Sequence, residues 1–381
     1  MAEAQILDPD LNFIREVGAL GGEDLKKCYQ CATCSVACAI APDNHPFPRK
    51  EMIAASWGLK DKLVKNGDIW LCHNCGDCST KCPRTAKPGD VLAAVRAYAV
   101  SEYAVPKTLA KAVNNPKNLP ILLAIPAVVF LVLGLITGLL DFTPEGDMIV
   151  YEHFFSTWLV DIIFIPLAIW NFVIFANGIK RFLGDIHENA VQEGKTNRKD
   201  LNAKDFIVSL IKVIPTILKH NRFNDCTENN ERSTAHMMVF FSFIGLFVVT
   251  NCFFIALYIL QQPGPYSQLN PVKWLANVSG ICLIVGSALL IRARIKKPDQ
   301  VSTYKDWALL GLVLALGLTG MCTEIARLIG IGFLSYFFYF IHLMSVFSLF
   351  AYLPFSKLAH LVYRTLAIAY ADYSQRGFKL D

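Results

Sequence analysis

The chain has 381 residues, of which 54% are hydrophobic and only 18% are charged, and its formal net charge at pH 7 is +5. A soluble protein normally carries about a quarter charged residues, so this composition excludes an ordinary soluble protein. The apolar runs lie after residue 118, which predicts a soluble part followed by a part in the lipid. Residues 1–23 contain no apolar signal segment, so the soluble part is expected in the cytoplasm. No nucleic acid partner is expected.

The soluble part is predicted to be helical, without strands. Apolar residues at spacings of 4, 3 and 3 predict a short amphipathic helix within Ala2–Gly22. A second helix is expected over Lys50–Val64, and a third from Asp90, as its cap, to Tyr103. The residues expected to be buried are Leu7, Leu11, Ile14 and Val17 in the first helix and Leu92, Val95 and Ala99 in the third.

Two cysteine runs with the same spacing, C-x2-C-x2-C-x3-C, lie between these helices at residues 28–38 and 72–82. This spacing is typical of [4Fe-4S] clusters, because three close thiolates on one loop can hold three corners of an iron–sulfur cube. In a domain with two clusters, the fourth cysteine of each run ligates the other cluster. The first predicted ligand set is Cys28, Cys31, Cys34 and Cys82, and the second is Cys72, Cys75, Cys78 and Cys38.

Zinc and disulfides are the alternatives for these eight cysteines. Zinc sites usually use separated C-x2-C pairs, and this register would be unusual in an extracellular disulfide framework. The spacing therefore favours an α-helical ferredoxin domain over residues 1–105. Four further cysteines lack cluster spacing and are expected to be free thiols: Cys226, Cys252, Cys282 and Cys322.

Residues 106–118 are predicted to form a linker, and residues 119–381 a transmembrane domain of six helices. Each apolar segment has roughly the 20 residues that a bilayer requires. The segments are Leu119–Leu140, Ile149–Ala176, Met237–Leu260, Trp274–Ile291, Trp307–Gly330 and Phe333–Phe355. Lys and Arg cluster after the second, fourth and sixth segments, so the positive-inside rule makes that side cytoplasmic. Both termini, the ferredoxin domain and the loop 177–235 are then cytoplasmic, at the inner membrane.

The cytoplasmic loop contains an apolar face over Phe206–Lys219. This pattern fits a helix that lies on the membrane surface or binds a partner. It fits an ordinary packed helix equally well.

Four histidines are candidate haem ligands, since an imidazole within or beside hydrocarbon marks a functional site. His342 lies inside the sixth segment, and His360 follows it by 18 residues, which is five helical turns. If the helix continues past Pro354, the two share a face about 27 Å apart. The two ligands of one haem must lie at the same depth in the membrane. We therefore pair His153 with His342 on the outer side and His236 with His360 on the cytoplasmic side. Two bis-histidine b haems are thus predicted, and no C-x-x-C-H is present for a c-type haem.

Other roles for these histidines remain open. Interfacial histidines also cap helix ends or extend toward water. His220, at the end of the amphipathic segment, is the main rival for the cytoplasmic haem.

The two cysteine runs resemble the C subunit of heterodisulfide reductases, and the six-span part with its histidines resembles their E subunit, a cytochrome b. Fused in this order, they resemble the membrane subunits of the quinone-interacting membrane-bound oxidoreductase (Qmo) family of sulfate reducers. His342 and His360 are spaced as in nitrate-reductase-type cytochromes b, and residues 222–226, with Arg232 and His236, also look familial. The first run departs from the usual pattern, since Ala39 follows it where Pro83 follows the second.

The resemblance implies a subunit of a quinone-dependent oxidoreductase complex. Its partners would be flavin-containing subunits A and B of the same complex, with electrons passing between menaquinone and adenylylsulfate (APS) reductase in dissimilatory sulfate reduction. The alternatives are a heterodisulfide-reductase-like membrane subunit with another cytoplasmic partner, and a haem-free anchor for a ferredoxin domain.

Overall fold

The computed structural model describes residues 8–142, 148–220, 225–228, 232–297 and 301–375. It is 75% helical, and the described residues contain no strand beyond one isolated bridge between Leu140 and Phe155. The all-α fold class is therefore confirmed: among the described residues, an N-terminal helical domain that carries the two cysteine runs precedes six long apolar helices.

Eight short helices precede the membrane part. They are α1 Leu11–Val17, α2 Thr33–Val36, α3 Arg49–Ser56, α4 Lys60–Val64, α5 Asp68–Leu71, α6 Asp77–Thr80, α7 Pro88–Tyr103 and α8 Lys107–Asn114. The remaining helices are α9 Leu119–Thr137, α10 Tyr151–Phe154, α11 Thr157–Gln192, α12 Ala203–Lys219, α13 Arg232–Phe254, α14 Pro271–Lys296, α15 Tyr304–Ile329, α16 Gly332–Tyr352 and α17 Ala359–Tyr373.

The predicted helices of the soluble part differ from the structure in detail. The helix predicted over Lys50–Val64 is two helices, because Gly58 adopts a left-handed φ of +68° between them. Asp90 is not the cap of α7: Pro88 occupies the first turn, where its missing N–H costs no hydrogen bond. The buried residues predicted for α7 are confirmed, namely Leu92, Val95 and Ala99.

In α1 the buried apolar residues are Phe13 and Val17, whereas Leu11 is 63% exposed, contrary to expectation. Leu7 lies outside the described residues. Asp10 caps the helix by accepting a hydrogen bond from the Phe13 N–H at 2.9 Å. The predicted linker is itself helical over most of its length, as α8.

Within the described residues, six helices are long and apolar enough to cross a membrane: Pro116–Thr137, Thr157–Gln192, Arg232–Ile259, Pro271–Lys296, Tyr304–Ile329 and Gly332–Phe355. The second begins later than predicted, because the extended residues Phe155 and Ser156 separate it from the short helix α10. It also runs on to Gln192, so its 36 residues extend about 54 Å. The hydrocarbon core is only about 30 Å thick, so α11 projects well beyond it. The predicted loop 177–235 therefore begins as helix.

This projection of α11 packs between the N-terminal domain and α17. Four aromatic rings meet there: Trp70 from α5, Tyr103 from α7, Phe182 from α11 and Tyr363 from α17, all buried. The ring centroids of Trp70 and Tyr363 are 5.3 Å apart, and those of Phe182 and Tyr363 are 5.1 Å apart. Aromatic contacts of this kind stabilise a structure beyond the effect of burying apolar surface. This cluster therefore stabilises the packing of the domain against α11 and α17.

The amphipathic segment forms α12, and one of its sides packs on α17. Phe206 and Val213 are buried there, while Ile207 and Ile211 remain more than half exposed. Lys212 reaches Asp372 of α17 at 2.6 Å. The buried side of α12 is that of an ordinary packed helix. Contact of its exposed side with the membrane or with a partner stays a prediction.

Candidate metal centres

The two cysteine runs adopt the same backbone conformation. Gln30 and Ala32 in the first run, and Asn74 and Gly76 in the second, have positive φ at equivalent positions. A short helix then follows in each run, α2 or α6. These left-handed residues turn the chain back on itself, so each run forms a loop around a small cavity.

Each cavity is lined by three cysteines of one run and the last cysteine of the other. Cys28, Cys31, Cys34 and Cys82 line the first cavity, and Cys72, Cys75, Cys78 and Cys38 line the second. The structure thus brings together the same two groups of four that the crossed spacing predicts. Their role as iron ligands stays a prediction.

The surroundings of both cavities fit an iron–sulfur cluster. The Asn74 N–H donates to the Cys72 Sγ at 3.3 Å, and the Ala86 N–H donates to the Cys82 Sγ at 3.4 Å. Such hydrogen bonds stabilise ligating sulfur. At Gly89, a Cβ atom would lie 2.9 Å from Asn74 Oδ1 and 3.7 Å from the sulfur of the second group's Cys78, so glycine keeps this cavity open.

Burial raises the pKa of at least one cysteine in each cavity. Burial, with the nearby Cys28, raises the pKa of Cys34 to about 11. Burial, with the nearby Cys72, raises the pKa of Cys38 to about 12. A thiol whose pKa is raised in this way ionises near pH 7 only if positive charge compensates it, and ligated iron would supply that charge.

The two cavities differ in their exposure to solvent. Cys31 in the first is exposed, and beside it Tyr29 and Val36 are 57% and 88% exposed. In the second, Cys72 and Cys78 are buried. Cys34 in the first group is buried as well, so the difference is that the first group has an exposed cysteine and the second has none.

A larger cavity of about 330 Å³ separates the second cysteine group from the membrane helices. Cys72 and Cys75 line one side, and His236 of α13 and His360 of α17 line another. The structure thus brings together the histidine pair predicted for the cytoplasmic side. It places that pair on the same cavity as the second group of cysteines.

His220 lies close to the same pair, with its ring centroid 5.2 Å from that of His236. His220 ends α12 in a left-handed conformation, with φ of +52°. The sequence left His220 as the rival of His236, and the structure places both rings at this end of the bundle.

The hydrogen bonds of two histidines determine which ring nitrogen is available. His360 Nδ1 lies against the Lys357 carbonyl, which can only accept, so Nδ1 carries the proton. His342 Nδ1 lies 3.0 Å from Thr319 Oγ1, whose own proton is directed at the Ala315 carbonyl 2.6 Å away. In both histidines, Nε2 is therefore left with a free lone pair, as in histidines that bind metal.

The protonation state of His360 is also suited to metal binding. Its position inside protein lowers the pKa of His360 to about 3, chiefly by removing the charged ring from water. The ring is therefore neutral at pH 7, as a ligand must be.

His342 and His360 do not share one continuous helix. The helix α16 ends at Tyr352, a short 3-10 turn containing Pro354 follows, and α17 begins at Ala359. Proline cannot continue the hydrogen-bond ladder, so the condition for a common face over five turns is not met.

The outer histidine pair is not in contact. His153 is exposed on α10, whereas the His342 ring packs against Gly320, where a Cβ atom would lie 3.1 Å from it. Within the described part of the chain, no hydrogen bond or ring contact joins His153 to His342. Their pairing stays a prediction.

Sequence reasoning missed two groups beside the second cysteine cavity. The Cys72 carbonyl accepts from Arg96 at 2.9 Å and from Arg364 at 3.5 Å. Asp77, within the second run, binds residues 227 and 228 of the distant loop before α13. The only signal for Arg364 is its spacing of four residues from His360, which places both on one face of α17.

Comparisons with known proteins concern the N-terminal part. Residues 24–86 match the family model of the 4Fe-4S dicluster domain. The C subunit of the H(2):CoB-CoM heterodisulfide,ferredoxin reductase of Methanothermobacter marburgensis is 34% identical over 87 residues, 23% of this chain and 47% of the relative. A protein of Archaeoglobus profundus described as like the C subunit of heterodisulfide reductase is 31% identical over 106 residues, 28% of this chain and 56% of the relative.

The second iron–sulfur C subunit of the CoB--CoM heterodisulfide reductase of Methanocaldococcus jannaschii is 33% identical over 110 residues, 27% of this chain and 59% of the relative. The chain spans about half the length of the curated relatives it matches. No solved structure matches the chain. The N-terminal part of this chain is a 4Fe-4S dicluster domain, similar to the C subunits of heterodisulfide reductases and followed by six apolar helices.

Proposed function

We propose that the chain is the electron-transfer membrane subunit of an oxidoreductase complex. It connects a quinone pool with a cytoplasmic partner by means of two [4Fe-4S] clusters and two b haems. The observation that carries this proposal is the 330 Å³ cavity, on which the second group of cysteines and the inner histidines meet. When bound, these groups supply one-electron transfer, which the side chains of this protein cannot perform.

The lining of the large cavity supports an inner haem. His236 and His360 would hold its iron, with His220 as the alternative to His236. Haem b carries two carboxylates, and the cavity has more basic than acidic side chains to neutralise them. The basic residues are Arg96, Arg232, Arg294, Lys305, Lys357 and Arg364, and the acidic ones are Asp90, Glu228 and Asp306.

For the outer haem, His342 is the better supported ligand. Its Nδ1–H is fixed by Thr319, which leaves Nε2 for iron, and Gly320 gives the ring room. The assignment of His153 as the second ligand of this haem is supported only by the predicted position of both histidines on the outer side of the membrane.

The order of the centres follows from their positions. The second cluster would face the membrane, since Arg364, four residues after His360, donates to the Cys72 carbonyl. The first cluster, with Cys31 exposed, would face the cytoplasmic partner. The excess of Lys and Arg in alternate loops supports placing the dicluster domain and both termini in the cytoplasm.

The finer identity rests on the resemblance to the Qmo family. We infer menaquinone as the quinone, flavin-containing subunits A and B as partners, and APS reductase as the protein served. A second candidate is a heterodisulfide-reductase-like membrane subunit with another cytoplasmic partner, which the names of the relatives favour. Co-purification tests the choice: affinity isolation of the tagged chain should retain APS reductase, and retention of a heterodisulfide-type partner instead would select the second candidate.

The haem assignment predicts separate losses in two histidine variants. An optical and EPR redox titration of the purified chain should show two b haems, and His342→Ala and His360→Ala should each lose a different one. His360→Ala should in addition leave His342 ligation unchanged, because the two histidines lie on different helices.

His45→Asn is the matched control, since His45 is an exposed loop residue with positive φ and asparagine tolerates that conformation. It should keep both haems. Iron–sulfur signals without haem in the wild type would contradict the proposal and leave a ferredoxin domain on an anchor.

A further inference from the structure

A short segment of the loop before α13, residues 225–228, lies against the second group of cysteines. The Asp77 carboxylate, 5% exposed, accepts hydrogen bonds from this segment. The donors are the Thr227 N–H and O–H, each at 3.2 Å, and the Glu228 N–H at 2.8 Å. A buried carboxylate with this many donors is a strong anchor, because breaking it would leave the charge without partners.

This anchor holds the Cys226 thiol beside a predicted cluster ligand. Cys226 is 3% exposed. Its Sγ, the Sγ of Cys75 and a carboxylate oxygen of Asp77 all lie within 4.8 Å of one another. Cys226 also lines the large cavity together with Cys72 and Cys75. The other cysteines outside the two runs lie on membrane helices: Cys252 on α13, Cys282 on α14 and Cys322 on α15.

Two roles are possible for a ninth thiol at this position. It could replace Cys75 as an iron ligand, or it could remain protonated and donate a hydrogen bond to the Cys75 sulfur. Four cysteines already line the second cavity, which is the number a [4Fe-4S] cluster needs. The count therefore favours the donor role.

We propose that Cys226 is a positioning residue of the second cluster, which donates its S–H to the Cys75 thiolate and is held there by Asp77. This inference rests on the proposed clusters and adds a regulator of one of them. Reduction adds a negative charge to the cluster, and a donor at a ligating sulfur stabilises the reduced form more than the oxidised form. Hydrogen bonds to cluster sulfurs thus raise the reduction potential.

The test is an EPR-monitored redox titration of the full chain, comparing wild type, Cys226→Ala and Cys226→Ser. In Cys226→Ala, the ratio of reduced to oxidised second cluster at a fixed potential should fall about tenfold, which corresponds to about 59 mV for a one-electron couple. Cys226→Ser keeps a donor and should recover most of that shift. The reduction potential of the first cluster should not change in either variant. The control variant Cys282→Ala should leave the reduction potentials of both clusters unchanged.

Three results would overturn the proposal. They are an unchanged second cluster in Cys226→Ala, an equal shift in Cys226→Ser, and a Cys75→Ala variant that keeps its second cluster until Cys226 is also removed. The last result would make Cys226 a ligand. Absence of both cluster signals in the wild type would instead refute the proposed function, so the two failures can be distinguished.

Discussion

Replacing Cys82 with serine is expected to remove the first cluster and spare the second, although Cys82 belongs to the second run. The reason is that Cys82 lines the cavity of Cys28, Cys31 and Cys34. Non-haem iron should fall by about half, from two four-iron clusters to one. The EPR spectrum that remains should match that of Cys31→Ser, which targets the same cluster from the first run.

The reciprocal variant is Cys38→Ser. It should remove the second cluster, and its remaining spectrum should match that of Cys75→Ser, because Cys38 lines the cavity of Cys72, Cys75 and Cys78. Cys252→Ser, on a membrane helix, should keep both clusters. If Cys82→Ser instead matched Cys75→Ser, each run would bind its own cluster and the crossed assignment would be wrong.

Lys195→Met is expected to destabilise the junction of the dicluster domain and α11 by about 3–5 kcal/mol. The Lys195 ammonium is buried, 3.0 Å from a carboxylate oxygen of Asp68 and 2.7 Å from one of Glu193. It also donates to Asn66 at 3.1 Å. Asp68 and the neighbouring Glu51 are buried, so loss of the lysine removes one of the two cations, with Lys50, that pair with this group of carboxylates in the described structure.

The measurement is the release of the clusters in detergent as the denaturant concentration is raised. The loss of cluster absorbance reports this release. Lys65→Met is the matched control, because Lys65 also joins the domain to α11 but through an exposed pair with Glu188 at 2.9 Å. Exposed pairs contribute about 0–1 kcal/mol, so the control should change little. Equal effects in the two variants would show that the buried network does not stabilise this junction.

The sequence by itself determined the fold class, the dicluster domain and the number of membrane-crossing helices. Each depends on a local pattern. Cysteine spacing predicts a cluster loop because the three thiolates lie within seven residues. A run of about 20 apolar residues predicts a span because the bilayer sets its length. What such local patterns predict does not depend on the tertiary contacts made by the rest of the chain.

Element boundaries were less predictable. The break of α16 at Pro354 and the early end of α3 near Gly58 could be read as signals, but the sequence did not show whether packing would override them. The extension of α11 to Gln192 carries apolar residues at helical spacing, Ile179, Phe182, Leu183 and Ile186, but it has too many charged residues to read as part of a span. Beyond the bilayer this helix is stabilised by tertiary contacts of Phe182 and Ile186 with the dicluster domain.

Only the tertiary structure decided which groups meet. It placed the second cysteine group on the cavity of His236 and His360, and it left Cys31 of the first group exposed. It also brought Asp77 and Cys226 together across 149 positions of sequence, since 226 minus 77 is 149. Local patterns report what a segment can bind, because ligand spacing is a property of one loop. Contacts between distant segments depend on how helices pack, so the proposed order of the centres and the proposed role of Cys226 rest on the tertiary structure.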